Sequence, residues 1–158
     1  MSDKVAPIPE GFHSVTPHLV IAGCADAIAF YVKAFGADER FRMPGPEGKC
    51  MHAEIQIGDS VVMLADEFPE MGSQSPKAYG GTPVALHIYV EDVDRVFKQA
   101  VDAGAVPLMP PADMFWGDRY ARVSDPFGHT WALATHIKDP SPEEIQAGMA
   151  AMMAEQGD

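Results

Sequence analysis

HLVIAGCADAIAFYVKAFGA, His18 to Ala37, returns later in the chain as HIYVEDVDRVFKQAVDAGA, His87 to Ala105, one residue shorter. Asp26 answers Asp94, Ile28 answers Val96, and Gly36-Ala37 answers Gly104-Ala105. In both copies a histidine opens a short apolar strand and an amphipathic helix closes on glycine. A repeat this long is a whole supersecondary unit. Two copies predict a pseudo-two-fold fold with its site between the halves.

Working outward, Ser14 to Ile21 alternates: Val15, Leu19 and Ile21 face one way, Thr16 and His18 the other. That pattern predicts a half-buried strand, with Pro17 placing it near an edge or a strand start. Ile28, Tyr31, Val32 and Phe35 then follow helical spacing up to Gly36. Three strands are expected next, at Glu39–Met43, Met51–Ile57 and Ser60–Ala65, the last two joined at Gly58-Asp59. The second half repeats the plan. Val84–Val90 reads as a strand, and Val93, Val96, Phe97, Ala100 and Val101 as a helical stripe. Val106–Met109, Tyr120–Ser124 and Thr130–Thr135 are the remaining strands. Each half is β-α-β-β-β, an α+β fold of two modules at 12–66 and 82–137. Residues 67–81, rich in Pro, Gly and Ser, form a linker expected to cross between the modules and to serve as a flap. In the tail, 138–158, Ser141 suits a helix N-cap, Pro142 the first turn and Glu143-Glu144 the positive helix end. Its Ile145, Met149 and Met152-Met153 stripe is expected to dock on the body or on a second subunit.

Composition narrows the function. The chain has 158 residues, 47% of them hydrophobic, enough for one domain of 12–137 with a sizeable core. Lys plus Arg number 11 against 23 Asp plus Glu, a formal charge of -12. That excess argues against sequence-independent nucleic-acid binding and against docking on an anionic membrane. The N-terminal MSDKVAPIPEGF lacks an apolar signal region and no stretch reads as a membrane span, so a cytoplasmic protein is expected. Cys24 and Cys50 have no metal or disulfide pattern. Cys24 sits beside a helix start, where a thiolate is favoured, although a small buried residue is the commoner role.

The paired modules, the helix-ending AFGA, and DPFGHTWALATH followed by SPEE resemble the vicinal oxygen chelate superfamily, which includes glyoxalase, bleomycin resistance proteins and dioxygenases. Within it, the chain looks most like the PhnB-like group, and the resemblance runs from Phe12 into the terminal helix. It implies sheets curved around a shared cleft and pairing into homodimers. The resemblance also implies that metal-dependent members place His, Gln or Glu ligands on the first, fourth, fifth and eighth strands. Here those positions fall at Thr16, Met63, Ala85 and Ala132, with Met63 free to slip to Val62 or Leu64. None is a usual ligand for a divalent cation at such a site. No cofactor is therefore expected.

His18 and His87 each lie two residues beyond a lost ligand position, which keeps them on the same strand face. Both are candidate catalytic groups, because imidazole titrates near neutrality. His52, Glu54 and Gln56 form a third polar row. A displaced divalent metal site of His18, His87 and Glu54 has the composition of a two-His, one-carboxylate centre, against the simpler reading of hydrogen-bonded wall histidines. Thr16, Val61, Met63, Ala65, Ala85, Ala132 and Ala134 make the expected cleft mostly small or apolar, suited to a flat organic molecule.

ADMFWGDRYAR, Ala112 to Arg122, offers Phe115, Trp116 and Tyr120 for stacking and Arg119 or Arg122 for an anion. In the plainer reading, Trp116 covers a sheet edge and Asp118 pairs with an arginine. Trp131 has the parity of the core, and His129 and His136 read as surface residues. Two functions survive: a small-molecule-binding protein, or an enzyme using His18 and His87 as acid-base groups or displaced metal ligands.

Overall fold

The computed structural model describes residues 5–155; residues 1–4 and 156–158, the ends of the N-terminal stretch and of the tail, lie outside the described residues. The chain divides into two compact units, Met1–Pro83 with Pro126–Gly128, and Val84–Asp125 with His129–Asp158. Among the described residues, no helix is long and apolar enough to cross a membrane.

The first unit runs β1 (His18–Ile21), α1 (Cys24–Phe35), β2 (Asp38–Pro44), β3 (Cys50–Ile57) and β4 (Ser60–Asp66). Its sheet has the order β1-β4-β3-β2, with β1 and β4 parallel. Leu19, Ile21, Ala53, Ile55, Val62 and Leu64 alternate onto one face and are buried, and α1 packs on this sheet through Ile28 and Tyr31. Fully burying each larger apolar side chain stabilises by roughly 1.5–3 kcal/mol, so this alternation is what selects the face.

The second unit repeats the plan with β5 (Ala85–Tyr89), α2 (Val93–Ala103), β6 (Val106–Asp113), β7 (Asp118–Ser124) and β8 (Thr130–His136), in the order β5-β8-β7-β6. Val93, Val96 and Ala100 of α2 join Ala121, Val123, Trp131 and Leu133 in its core. Trp131 is buried as its parity predicts, and its Nε1 donates to Asp125 Oδ2 at 2.9 Å. Each repeat helix stops alike. Gly36 (φ 65) and Gly104 (φ 119) take the left-handed conformation that glycine enters without a Cβ penalty, and each is followed by a buried alanine.

The two largest departures from the sequence reading both involve proline. β1 starts only at His18, since Pro17 has no N–H for the ladder, although its carbonyl accepts from the Met63 N–H at 2.9 Å. β6 continues to Asp113 despite Pro107, Pro110 and Pro111. It is an edge strand, paired only with β7, and its register shifts at Pro107/Met109 and Met109/Ala112 absorb the missing donors.

The segment after β4 is an anchored strap. Phe68 and Ser75 are buried, the Ser75 N–H donates to Glu67 Oε1 at 2.6 Å, and Lys49 Nζ donates to the Glu67 carbonyl at 3.0 Å. After β8, α3 (Pro142–Glu155) opens with a capping box. The Glu144 N–H donates to Ser141 Oγ at 3.2 Å while the Ser141 N–H donates to Glu144 Oε2 at 2.7 Å. A Cβ on Gly148 would stand 2.4 Å from the Phe115 Cβ, so glycine permits the close seating of α3 on the second unit. Ile145, Met149 and Met153 stay exposed.

Candidate functional site

In each unit one sheet face carries the helix and the other gathers the chemistry-bearing side chains. On the first sheet, cross-strand register sets His18 opposite Met63, Met63 opposite Glu54, and Glu54 opposite Phe41. His52, two residues before Glu54, joins them. Its Nε2 lies 3.3 Å from Glu54 Oε1, its ring meets His18 edge-on at 5.8 Å, and Phe41 lies 6.3 Å away. Burial, reinforced by the nearby His52, holds the His18 imidazole below its ordinary value. Glu54 thus keeps company with His18 and His52, while His87 belongs to the second unit. Thr16 precedes β1, its Oγ1 directed at the His13 carbonyl.

On the second sheet, Ala132 lies opposite both His87 and Arg122, and Ala134 lies opposite both Tyr89 and Tyr120. The small alanines are covered and the aromatic rings stand around them. His87 is 4.7 Å from Tyr89 and 5.9 Å from Tyr120. Trp116 meets Tyr120 at 5.5 Å, and Phe115 meets Trp116 edge-on at 5.1 Å. Phe115 and Trp116 therefore belong to one run of rings with His87. Ala85 lies exposed at the start of β5, opposite Thr130.

One carboxylate organises the end of this run. Asp118 is only 4% exposed. Its Oδ2 accepts from Tyr89 Oη and Trp116 Nε1, both at 3.2 Å, and its Oδ1 lies 2.8 Å from His136 Nδ1. His136 Nε2 lies 2.9 Å from Asp139 Oδ1. Asp118 first, then Asp139, raise the His136 imidazole above its ordinary value, and the Asp118 charge pushes the Tyr89 phenol up. The expected arginine partner of Asp118 is replaced by these three side chains. Arg119 has the opposite parity, pairing with Asp94 at 2.6 Å and Asp113 at 2.8 Å. His129, read as a surface residue, is buried, and its N–H donates to Asp125 Oδ1 at 2.9 Å. His136 is half-exposed but held in this network. Sequence reasoning passed over Tyr89, although its two-residue step from His87 was the signal that could have found it.

Cys24 is fully buried and burial pushes its thiol up, which removes any case for a reactive thiolate. The positions that the family resemblance assigns to a cation do not suit one. Thr16, Met63, Ala85 and Ala132 supply no imidazole or carboxylate. Among the described residues, no group of three or more His, Cys, Asp or Glu side chains is placed to hold a metal ion.

Comparisons with known proteins agree with this architecture. An uncharacterised protein of Mycobacterium tuberculosis (strain ATCC 25618 / H37Rv) is 47% identical over 141 residues, covering 87% of this chain and 83% of that protein. The X-ray structure of an Arabidopsis thaliana gene product is 28% identical with a TM-score of 0.64, covering 78% of this chain and 98% of that one. The PhnB protein of Bacillus cereus shares the fold at 19% identity, with a TM-score of 0.59 over 78% of this chain and 99% of that one. The model of the glyoxalase/bleomycin resistance protein/dioxygenase superfamily matches residues 11–133, and the chain belongs to that family.

Proposed function

We propose that the protein binds a flat small organic molecule against the aromatic face of the second sheet and sequesters it, without the divalent cation used by the metal enzymes of its family. The observation that carries this reading is the continuous run of His87, Tyr89, Tyr120, Trp116 and Phe115 beside the low floor of Ala132 and Ala134. Rings on small residues bind a planar solute by desolvation and stacking, with a few polar groups fixing its orientation. The test is a fluorescence titration with planar aromatic probes in the presence of a chelator. Saturable binding that survives chelation and weakens about tenfold in Trp116→Ala supports the reading, taking about 1.4 kcal/mol for one stacked ring. Binding that disappears with the metal overturns it.

A second reading rests on the first sheet. His18, shielded and biased towards its neutral form, stands beside the His52–Glu54 pair, an arrangement suited to proton abstraction. Substrate turnover abolished by His18→Gln, with ligand binding retained, would favour an enzyme. In either reading we place the protein in the cytoplasm as a homodimer, with the exposed Ile145, Met149 and Met153 as apolar surface available for pairing. Light scattering that gives a monomer mass at micromolar concentration would remove the dimer.

A further inference from the structure

We propose that the ligand of the second unit's aromatic face is an anion, a flat aromatic acid whose carboxylate pairs with Arg122. This deepens the binding reading above and rests on it.

Arg122 lies between Ala121 and Val123, both fully buried, so strand alternation turns its side chain to the face that bears His87, Tyr89 and Tyr120. Register places Arg122 and His87 on either side of Ala132. Two strand spacings separate their backbones by roughly 10 Å. Ala132 between them is itself covered, so a flat ring would lie across the neighbouring aromatic side chains with the acid group at its edge over Arg122. The other charged groups of this face are already used. Asp118 accepts from Tyr89 and Trp116 and faces His136, and His136 also faces Asp139. Among the described residues of β5 to β8, this face therefore has no free carboxylate to receive a cationic ligand.

Arg122, by contrast, enters no ion pair among the described residues. Arg42 pairs with Glu39, and Arg119 with Asp94 and Asp113, while among the described residues Arg40 and Arg95 share with Arg122 the lack of an ion pair; of these three, Arg122 stands on the aromatic face. In a chain with 23 Asp and Glu against 11 Lys and Arg, an arginine without a carboxylate is a vacant fork for one supplied from outside. The formal charge of -12 opposes the approach of an anion at low salt. At an ionic strength of about 0.15 M that field decays within about 8 Å, while a direct guanidinium–carboxylate contact persists.

The experiment uses 2-naphthoate and its neutral isostere 2-naphthamide, titrated by calorimetry into the full chain at about 0.15 M salt. We expect naphthoate to bind about tenfold or more tightly than naphthamide, in line with a charge-assisted contact of about 1.4 kcal/mol. Arg122→Gln should abolish that preference, whereas Arg119→Gln should preserve it. Arg122→Lys, which keeps the charge but loses the fork, should retain only part of the preference and guards against misfolding of the glutamine variant. Equal affinity of the two probes, or a preference that survives Arg122→Gln, overturns the proposal while leaving an aromatic binding face intact. Binding of neither probe overturns the aromatic-face reading and this proposal with it.

Discussion

Asp66 in the first unit and Asp118 in the second are both buried carboxylates that gather three hydrogen-bonding groups, yet they gather different ones. Asp66 accepts the backbone N–H groups of Gly23 and Cys24 at 2.9 Å and of Cys50 at 2.7 Å. It caps the N-terminus of α1, where the helix dipole favours a negative charge, and ties that end to β3. Asp118 is met only by side chains, those of Tyr89, Trp116 and His136. A carboxylate on backbone donors fixes a fold, because those donors exist whatever the neighbouring side chains are. A carboxylate on side-chain donors fixes the pose of a surface. The contrast assigns Asp66 to the scaffold and Asp118 to the aromatic face.

The largest expected effect tests the scaffold half. Asp66→Ala leaves three backbone donors without their acceptor, and unsatisfied buried groups cost about 1–3 kcal/mol each, so a loss of at least about 3 kcal/mol is expected in urea unfolding. A loss below about 1 kcal/mol would show that Asp66 is no staple. Next comes Asp118→Asn, which retains one acceptor oxygen and so cannot hold Tyr89, Trp116 and His136 together. Stability should fall by only about 1 kcal/mol, because the rings remain partly solvated, while probe binding weakens about tenfold. A stability loss equal to that of Asp66→Ala, with binding unchanged, would erase the distinction.

A third substitution probes how α3 belongs to the second unit. Gly148→Ala improves helix propensity by roughly 1 kcal/mol, but its Cβ meets Phe115 at 2.4 Å, and overpacking costs typically 1–3 kcal/mol. The helix is expected to persist yet unseat, exposing the 137–141 segment to limited proteolysis. An unchanged cleavage pattern would mean that Phe115 gives way instead.

The smallest effect separates the two faces by pH. His136 is raised by Asp118 and Asp139, so its contribution is complete below about pH 6.5 and is lost as pH rises through the raised value. His18 is lowered by burial and His52, so it has no penalty well above about pH 6.5 and destabilises as pH falls through that value. Unfolding measured from about pH 5.5 to about pH 8 should lose its alkaline decline in His136→Gln and its acid decline in His18→Gln. Identical profiles for both variants would contradict the assignment.

Much of this was legible along the chain. Strand parity separated Trp131 from Ala132 and set His18 and His87 away from the core, and Ser141 and Pro142 marked the start of α3. Phe115 and Trp116 stood out by composition alone. The partners of Asp118 were not legible: an arginine was expected there, and two of the three actual partners are distant in sequence. Neighbouring residues of a strand point to opposite faces, so Arg119 was barred from Asp118 by the same alternation that placed the core.

What the sequence by itself determined is everything carried by local geometry: the repeated β-α-β-β-β unit, the helix stops at Gly36 and Gly104, and the face on which each strand residue lies. Only the tertiary structure decided who meets whom across strands. Tyr89 and His136 reach Asp118 from 29 and 18 residues away. Glu54 is matched with Met63 and His18 because β4 lies between β3 and β1. Alternation is set by the sterics of each backbone step, whereas strand order and register come from burying all the apolar faces of a unit at once.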